Sequence, residues 1–130
     1  MTSAAAALDI ARQLYAAYDS HDAEAIGRLY HDDATHDEIA QLRTKRGAGE
    51  IAAGMQKLFA WLPDVRWQIG AIVAGQEGTI AVAYEMRATA PRKNGADVSL
   101  RGIQLITIDA GRIRHSEDYW DAATFQRQVS

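Results

Sequence analysis

Apolar residues recur at helical spacing from Ala5 to Tyr18. Leu8, Ile10, Ala11, Leu14, Tyr15 and Tyr18 fall on one broad stripe, which predicts an amphipathic helix with a buried side. Asp19-Ser20-His21-Asp22 interrupts it with cap-forming residues. A second short helix is predicted over Ala23–Tyr30, burying Ile26, Leu29 and Tyr30 and forming a hairpin with the first. His31–Glu38 is too polar for a central strand and reads as a short strand lining something wet. Gly47 and Gly49 precede a third helix, Glu50–Leu62, with Ile51, Met55, Leu58, Phe59 and Leu62 inward and Pro63 ending it.

Beyond Pro63 the period changes from 3.6 to two. Val65–Ala74, Thr79–Thr89, Val98–Ile108 and Arg112–Trp120 are predicted strands, separated by short Gly-rich, Pro-rich and Asp-rich loops that favour an antiparallel meander. Asp109-Ala110-Gly111 is a turn in which Gly111 can take positive φ, and Asp121 caps a terminal helix, Ala122–Val129. Three helices, four long strands and a last helix predict one α+β domain over residues 1–130, with helices packed on one face of a curved sheet.

Composition narrows the function classes. Cysteine is absent, so there is no disulfide framework and no thiolate nucleophile or ligand, which is compatible with a reducing cytoplasm. The first residues carry no basic leader, and no uncharged stretch is long enough to span a bilayer, so no membrane partner and a cytoplasmic location are expected. A net charge of -3 with scattered basic groups disfavours a nucleic-acid partner.

Candidate chemistry concentrates at the end of the last strand. Alternation places Asp118 and Trp120 on one face and Glu117 and Tyr119 on the other, so an acid beside an indole could form an active-site floor. On Thr79–Thr89, Glu85 and Arg87 share one face, Tyr84 and Met86 the other; the ion pair Glu85–Arg87 fits either a pocket base or an exposed surface. Phe59, Trp61 and Trp67 fit an aromatic pocket, plain core or a subunit interface. Arg101, before Gly102, could anchor an acidic substrate or pair with Glu117, and the glycine suggests a bulge or close backbone approach. His31 and His36 lie five apart across a helix-to-strand junction, which matches neither the helical nor the strand spacing of a ligand pair, so no metal is expected. His36 reads instead as a pocket wall or a partner of Asp37 or Glu38. No Ser-His-Asp pattern, phosphate-binding loop or dinucleotide fingerprint is present, and no cofactor is expected.

The order of elements, with Tyr15-Ala-Ala-Tyr-Asp-Ser-His-Asp22, Leu29-Tyr-His-Asp-Asp-Ala34, Gly49-Glu-Ile-Ala52, Leu62-Pro-Asp64, Leu100-Arg-Gly102 and Asp109-Ala-Gly-Arg-Ile113 running into Asp118-Tyr-Trp-Asp121, resembles the SnoaL-like branch of the NTF2-like (ketosteroid-isomerase-like) superfamily. The resemblance implies a cone-shaped sheet whose open end, under the helices, holds a mostly apolar pocket with polar groups at its base. It implies an inward Asp118 by likeness to limonene-epoxide-hydrolase-like members, although the Arg-x-Asp partner of those proteins is replaced here by Glu85-Met86-Arg87. It also implies a proton-shuttling carboxylate at Glu38 by likeness to ketosteroid isomerases, with Ile39 where they carry proline, and with Leu14 at the position of their helix phenol, for which Tyr15 and Tyr18 are imperfect substitutes.

These readings converge on a small cofactor-independent acid/base enzyme of isomerase, cyclase or lyase type. Its partner would be a small hydrophobic molecule, a cyclic carbonyl or hydroxyl compound. Asp118 is the expected general acid or base, with Arg87, Glu85 and Glu38 as catalytic candidates and His36, Tyr15, Tyr18, Phe59, Trp61, Trp67 and Trp120 as pocket candidates. Parity across the meander predicts that Glu85 and Arg87 share a face with Asp118. An epoxide-hydrolase-like enzyme and a noncatalytic binding or assembly module are the alternatives, and a homodimer through the outer sheet face is expected.

Overall fold

The computed structural model describes residues 2–130. The first apolar stripe becomes α1, Ala4–Asp19, whose N-terminus is capped by the Ser3 hydroxyl accepting from the Ala6 N–H at 3.1 Å. Ile10, Ala11, Leu14, Tyr15 and Tyr18 are its buried side. After it comes α2, Ala23–Arg28, capped by Asp22. This helix stops short of the expected Tyr30, because Tyr30 already opens β1, Tyr30–Glu38, where its buried phenol meets Ser116 Oγ at 2.8 Å.

A single helical turn, Ile39–Gln41, leads into β2, Arg43–Arg46, which periodicity did not predict because four polar residues mark no apolar face. Next is α3, Ala48–Trp61, entered through Gly47 at φ 91°. Then follow β3 (Arg66–Ala74), β4 (Thr79–Ala90), β5 (Ala96–Asp109), β6 (Arg112–Trp120) and α4 (Ala122–Val129). The strands form one sheet in the order β2-β1-β6-β5-β4-β3. β3 to β6 are the expected antiparallel meander, and β1 joins β6 in parallel. The result is the α+β arrangement of helices on a curved, mostly antiparallel sheet that the resemblance implied.

Alternation on the two central strands sets the inside of the sheet. Ile80, Val82, Tyr84, Met86, Ala88 and Ala90 on β4 are buried, as are Val98, Leu100, Gln104, Ile106 and Ile108 on β5. Even-numbered positions therefore face the helices on both. β6 begins out of phase, with Ile113 buried, and an irregularity in its pairing with β5 passes over Arg114, so that Ser116 is buried instead of an odd-numbered neighbour. This one-residue reset puts Ser116, Asp118 and Trp120 on the inner face. Among the described residues no helix is long and apolar enough to cross a membrane.

Gln104 is a polar side chain in this inner layer and joins α1 to the sheet. Its carbonyl accepts from the Tyr15 hydroxyl at 2.6 Å, and its amide donates to the Tyr18 oxygen at 3.2 Å. Leucine fills a similar volume but satisfies neither phenol. Gln104→Leu is therefore expected to cost roughly 2–4 kcal/mol in urea unfolding, because buried polar groups lose their partners. A loss under about 0.5 kcal/mol, the size of an ordinary surface change, would show that α1 is not pinned this way.

Candidate active site

Two parallel neighbours supply the centre of the site. β1 and β6 pair with Glu38 opposite Asp118 and His36 opposite Ser116, so four polar side chains project from adjacent strands toward the helices. They meet the inner residues of β4 and β5, and one face of α3, around a cavity of about 410 Å³. Its base is formed by Asp118, His36, Glu38, Tyr84, Tyr15 and Tyr18; apolar walls come from Met55, Leu58, Met86, Leu100 and Trp67. Trp120, Phe125 and Trp61 close one side as a run of edge-to-face rings, with centroids 5.4 and 5.6 Å apart.

The polar groups are chained together. The Trp120 indole N–H donates to one oxygen of Glu38 at 2.9 Å, and His36 Nε2 meets the other at 2.6 Å. His36 Nδ1 meets Ser116 Oγ at 2.6 Å, and that hydroxyl meets the Tyr30 phenol at 2.8 Å. An ionised Glu38 can only accept, so His36 Nε2 carries a proton; Nδ1 accepts from Ser116, and Ser116 from Tyr30, when the imidazole is neutral, and the direction reverses when the ring is charged. The sequence singled out His36 as a partner of Asp37 or Glu38, and Glu38 is the one it contacts.

The same enclosure pushes the two carboxyl groups apart in pKa. Burial works against the charge on Glu38, but the hydrogen bond and charge of His36, the Trp120 indole and, last, the Lys45 ammonium outweigh it and lower the pKa. Asp118 lacks such support. Burial first, then the negative charge of Glu38, raise its pKa from 3.8 to about 7, against weaker lowering by Tyr84 and His36. Asp118 keeps some accessible surface, but it opens into the cavity, and the protein around it sets its pKa.

The Tyr84 hydroxyl donates to Asp118 Oδ1 at 2.7 Å. Burial and then the Asp118 charge keep this phenol protonated, its pKa raised far above the ordinary value. To reach β6 from β4, the side chain lies across β5 at Gly102, its cross-strand partner. Any Cβ at Gly102 would run into the Tyr84 ring and hydroxyl and into the Tyr119 carbonyl. The glycine in Leu100-Arg101-Gly102 thus makes a close approach, to the Tyr84 side chain and to the Tyr119 carbonyl of the neighbouring strand, without a bulge in its own pairing.

Several expected placements are corrected. Glu85 and Arg87 do not share a face with Asp118: they are odd-numbered residues on a strand whose even positions are buried, so they lie on the outer face. There Arg87 Nε donates to Glu85 at 2.6 Å. The epoxide-hydrolase-like cluster of Glu85, Arg87 and Asp118 therefore does not assemble. Arg101 is also outward, opposite Glu85, beside an open depression of about 550 Å³ with Ile103 and Tyr119. That depression shares Tyr84 with the inner cavity but is lined by none of Glu38, His36, Ser116 and Asp118. Phe59 stands behind the pocket wall, stacked on His21 with centroids 4.5 Å apart. Tyr15, Tyr18, Trp61, Trp67 and Trp120 do line the cavity.

Other site residues went unread. Tyr84 and Met86 share the buried parity that the sequence made visible, whereas Ser116 and Gln104 are polar residues on inward positions, which periodicity does not flag. His31 and His36 face opposite ways and do not converge. Among the described residues, the group able to hold a metal ion is Asp37, His115 and Glu117, whose ligating atoms lie within 4.8 Å of one another. It sits on the outer face, where Thr35 Oγ1 meets His115 Nδ1 at 2.7 Å, and shares no residue with the cavity.

A raised folded-state pKa at Asp118 makes its stability effect pH-dependent. The protonated carboxyl suits the folded site, so nothing is lost below pH 3.8, and stability falls as pH rises from there through about 7. Asp118→Asn, which mimics the protonated acid, should be more stable than the parent at pH 8 by roughly 2–4 kcal/mol and equal to it near pH 4. Urea unfolding at both pH values checks this; a difference independent of pH would show that Asp118 ionises normally.

Known proteins match both sequence and shape. The family profile described as SnoaL-like domain matches residues 11–116. No curated protein matches the chain significantly. Among solved structures, an NTF2-like protein of unknown function from Burkholderia pseudomallei superposes with TM-score 0.84 at 21% identity, covering 100% of this chain and 99% of that one. A putative polyketide cyclase from Xanthomonas campestris gives 0.82 at 23% identity, covering 96% and 97%. TerC, co-crystallised with polyporic acid, gives 0.84 at 18% identity, covering 95% and 98%. At these identities the structures establish a shared fold, that of an NTF2-like protein among them, and the family match over most of the length establishes kinship: the chain belongs to the SnoaL-like domain family.

Proposed function

We propose that this protein is a cofactor-independent acid/base enzyme of isomerase, cyclase or lyase type, acting on a hydrophobic cyclic carbonyl or hydroxyl compound. The observation that carries the reading is Asp118 at the base of an open, apolar-walled cavity with its pKa near 7. A carboxyl group poised there can take and return a proton at neutral pH, which is where general acid/base catalysis is most effective. Glu38, held ionised by His36 and Trp120, keeps that pKa raised, and the two carboxyl groups thus take different roles. The Tyr84 hydroxyl orients Asp118 by donating its one proton to Oδ1.

In this scheme the carboxylate of Asp118 removes a proton from a carbon next to a carbonyl. The resulting enolate is sheltered from bulk water by the aromatic wall; the proton then returns from Asp118 to another carbon, or the enolate carbon closes a ring on a second carbonyl of the same molecule and Asp118 gives its proton to the alkoxide that forms. Glu85 and Arg87, outside the cavity, take no part. The noncatalytic-module alternative would be favoured by a filled cone; the open volume favours chemistry.

Hydrogen–deuterium exchange at the carbon next to the carbonyl of 2-tetralone, followed by proton NMR in D2O, tests the reading without a known substrate. The parent protein should accelerate exchange, and Asp118→Asn should lose about a hundredfold of that acceleration while staying folded, the usual scale for a lost general base. Tyr84→Phe removes a group that lowers the Asp118 pKa, so its pH profile should move to higher pH. Exchange as fast in Asp118→Asn as in the parent would remove Asp118 from the chemistry.

A homodimer through the outer sheet face is part of the same proposal. Ile69, Val73, Ile103 and Tyr119 are exposed there and leave apolar area to be covered. Sedimentation should give a dimer at micromolar concentration and a monomer for Ile103→Arg; a monomeric parent would contradict it.

A further inference from the structure

The mouth of the cavity carries cations that no carboxylate pairs, although Lys45 adds the last and weakest support to the charge on Glu38. β2 pairs with β1 so that Lys45 stands opposite His36 and Arg43 opposite Glu38, which turns both basic side chains toward the cavity they line. The alternate residue Thr44 points away and donates to Asp37 at 2.6 Å. Lys57 approaches the same opening from α3. Directly paired strand residues have Cβ atoms about 5 Å apart, so Arg43 has a carboxylate close by in Glu38. Yet His36 and Trp120 hold the two Glu38 oxygens, and among the described residues no carboxylate lies within 4.0 Å of Arg43, Lys45 or Lys57.

Lys45 is also held in place. Its chain lies against α3 at Gly54, where an added Cβ would come within 2.5 Å of Nζ. Basic residues on an edge strand often only discourage strand pairing, and for that purpose they extend into water. Lys45 instead is half-buried in a niche opened by a glycine. In a chain whose net charge is -3, three unpaired cations around one apolar cavity reverse the local sign of charge.

We infer that the molecule this cavity takes is an organic anion: a carboxylate on a cyclic apolar body, with the carboxylate held at the mouth by Arg43, Lys45 and Lys57 and the ring directed toward Asp118. The inference rests on the acid/base reading for what happens at the base, but the recognition itself does not depend on turnover. Charge-assisted hydrogen bonds at the mouth would fix which end of the molecule enters first. The apolar walls would hold the ring, and the cationic rim would raise the encounter rate at low salt.

Calorimetric titration of the full chain with 2-naphthoate and with 2-naphthamide tests this, because the two probes share a shape and differ in charge. The naphthoate should bind about tenfold or more tightly than the amide, a difference that charge-assisted contacts readily supply. High salt should shrink that preference. In Arg43→Met/Lys45→Met the preference should fall to about twofold or less while amide binding persists, as loss of charge without loss of the apolar walls requires. Gly54→Ala should weaken naphthoate selectively, since the added methyl meets the flexible end of Lys45 and not the backbone; it also serves if the double variant fails to fold. Equal binding of both probes, or a preference that survives in the double variant or in a folded Gly54→Ala, would overturn the inference and leave the Asp118 exchange experiment standing. Binding of neither probe would overturn it and also count against the cavity as a binding site.

Discussion

Two carboxyl groups in register on adjacent parallel strands, Glu38 and Asp118, face the same cavity, and the site cannot carry both charges equally well. The surrounding structure decides which one ionises. Glu38 receives His36, the Trp120 indole and, last, Lys45; Asp118 bears its own burial and the charge of its neighbour, and the Tyr84 phenol, His36 and the Tyr119 backbone only partly offset them. That inequality turns a pair of acids into one fixed anion and one titrating group. Much of the inner layer serves it. The Arg114 irregularity brings Asp118 inside, Gly102 clears the path for Tyr84, and Ser116 with Tyr30 orients the imidazole that holds Glu38.

The chemistry is distributed over the fold in a consistent way. Antiparallel β4 and β5 give long inward parity, apolar except at Gly102 and Gln104 on β5, and therefore a firm wall. Polar function enters where regularity ends, on β1, on the reset half of β6 and on the short β2. α1 contributes two phenols, and Gln104 binds both, which gives Tyr15 and Tyr18 a structural duty as well as a place in the cavity wall. The helices close the cavity without filling it, and the aromatic run of Trp61, Phe125 and Trp120 shields one side from water.

Most of the element order was legible because periods of two and 3.6 are strong signals in α1, α3, β4 and β5. Asp118 was legible from its strand-end position beside Trp120, and Glu38 from the resemblance to ketosteroid isomerases. Parity carried across the meander from an inward Asp118 misplaces Glu85 and Arg87, because the apolar set Ile80, Val82, Tyr84 and Met86 on the same strand needs burial more than two charges do. β2 escaped notice because Arg43-Thr44-Lys45-Arg46 has no apolar residue to reveal its two faces, although those faces differ in function. The Arg114 reset leaves no compositional mark. It is a property of strand pairing, and only the paired structure displays it.

The unequal carboxyl pair is open to direct measurement by carbon-13 NMR titration of side-chain carboxyl groups, with Asp118→Asn and Glu38→Gln assigning the two resonances. The account predicts that Asp118 titrates near 7 and Glu38 below 4.5, and that Glu38→Gln lowers the Asp118 midpoint by removing the neighbouring charge. An Asp118 midpoint near 3.8, unchanged by Glu38→Gln, would contradict it.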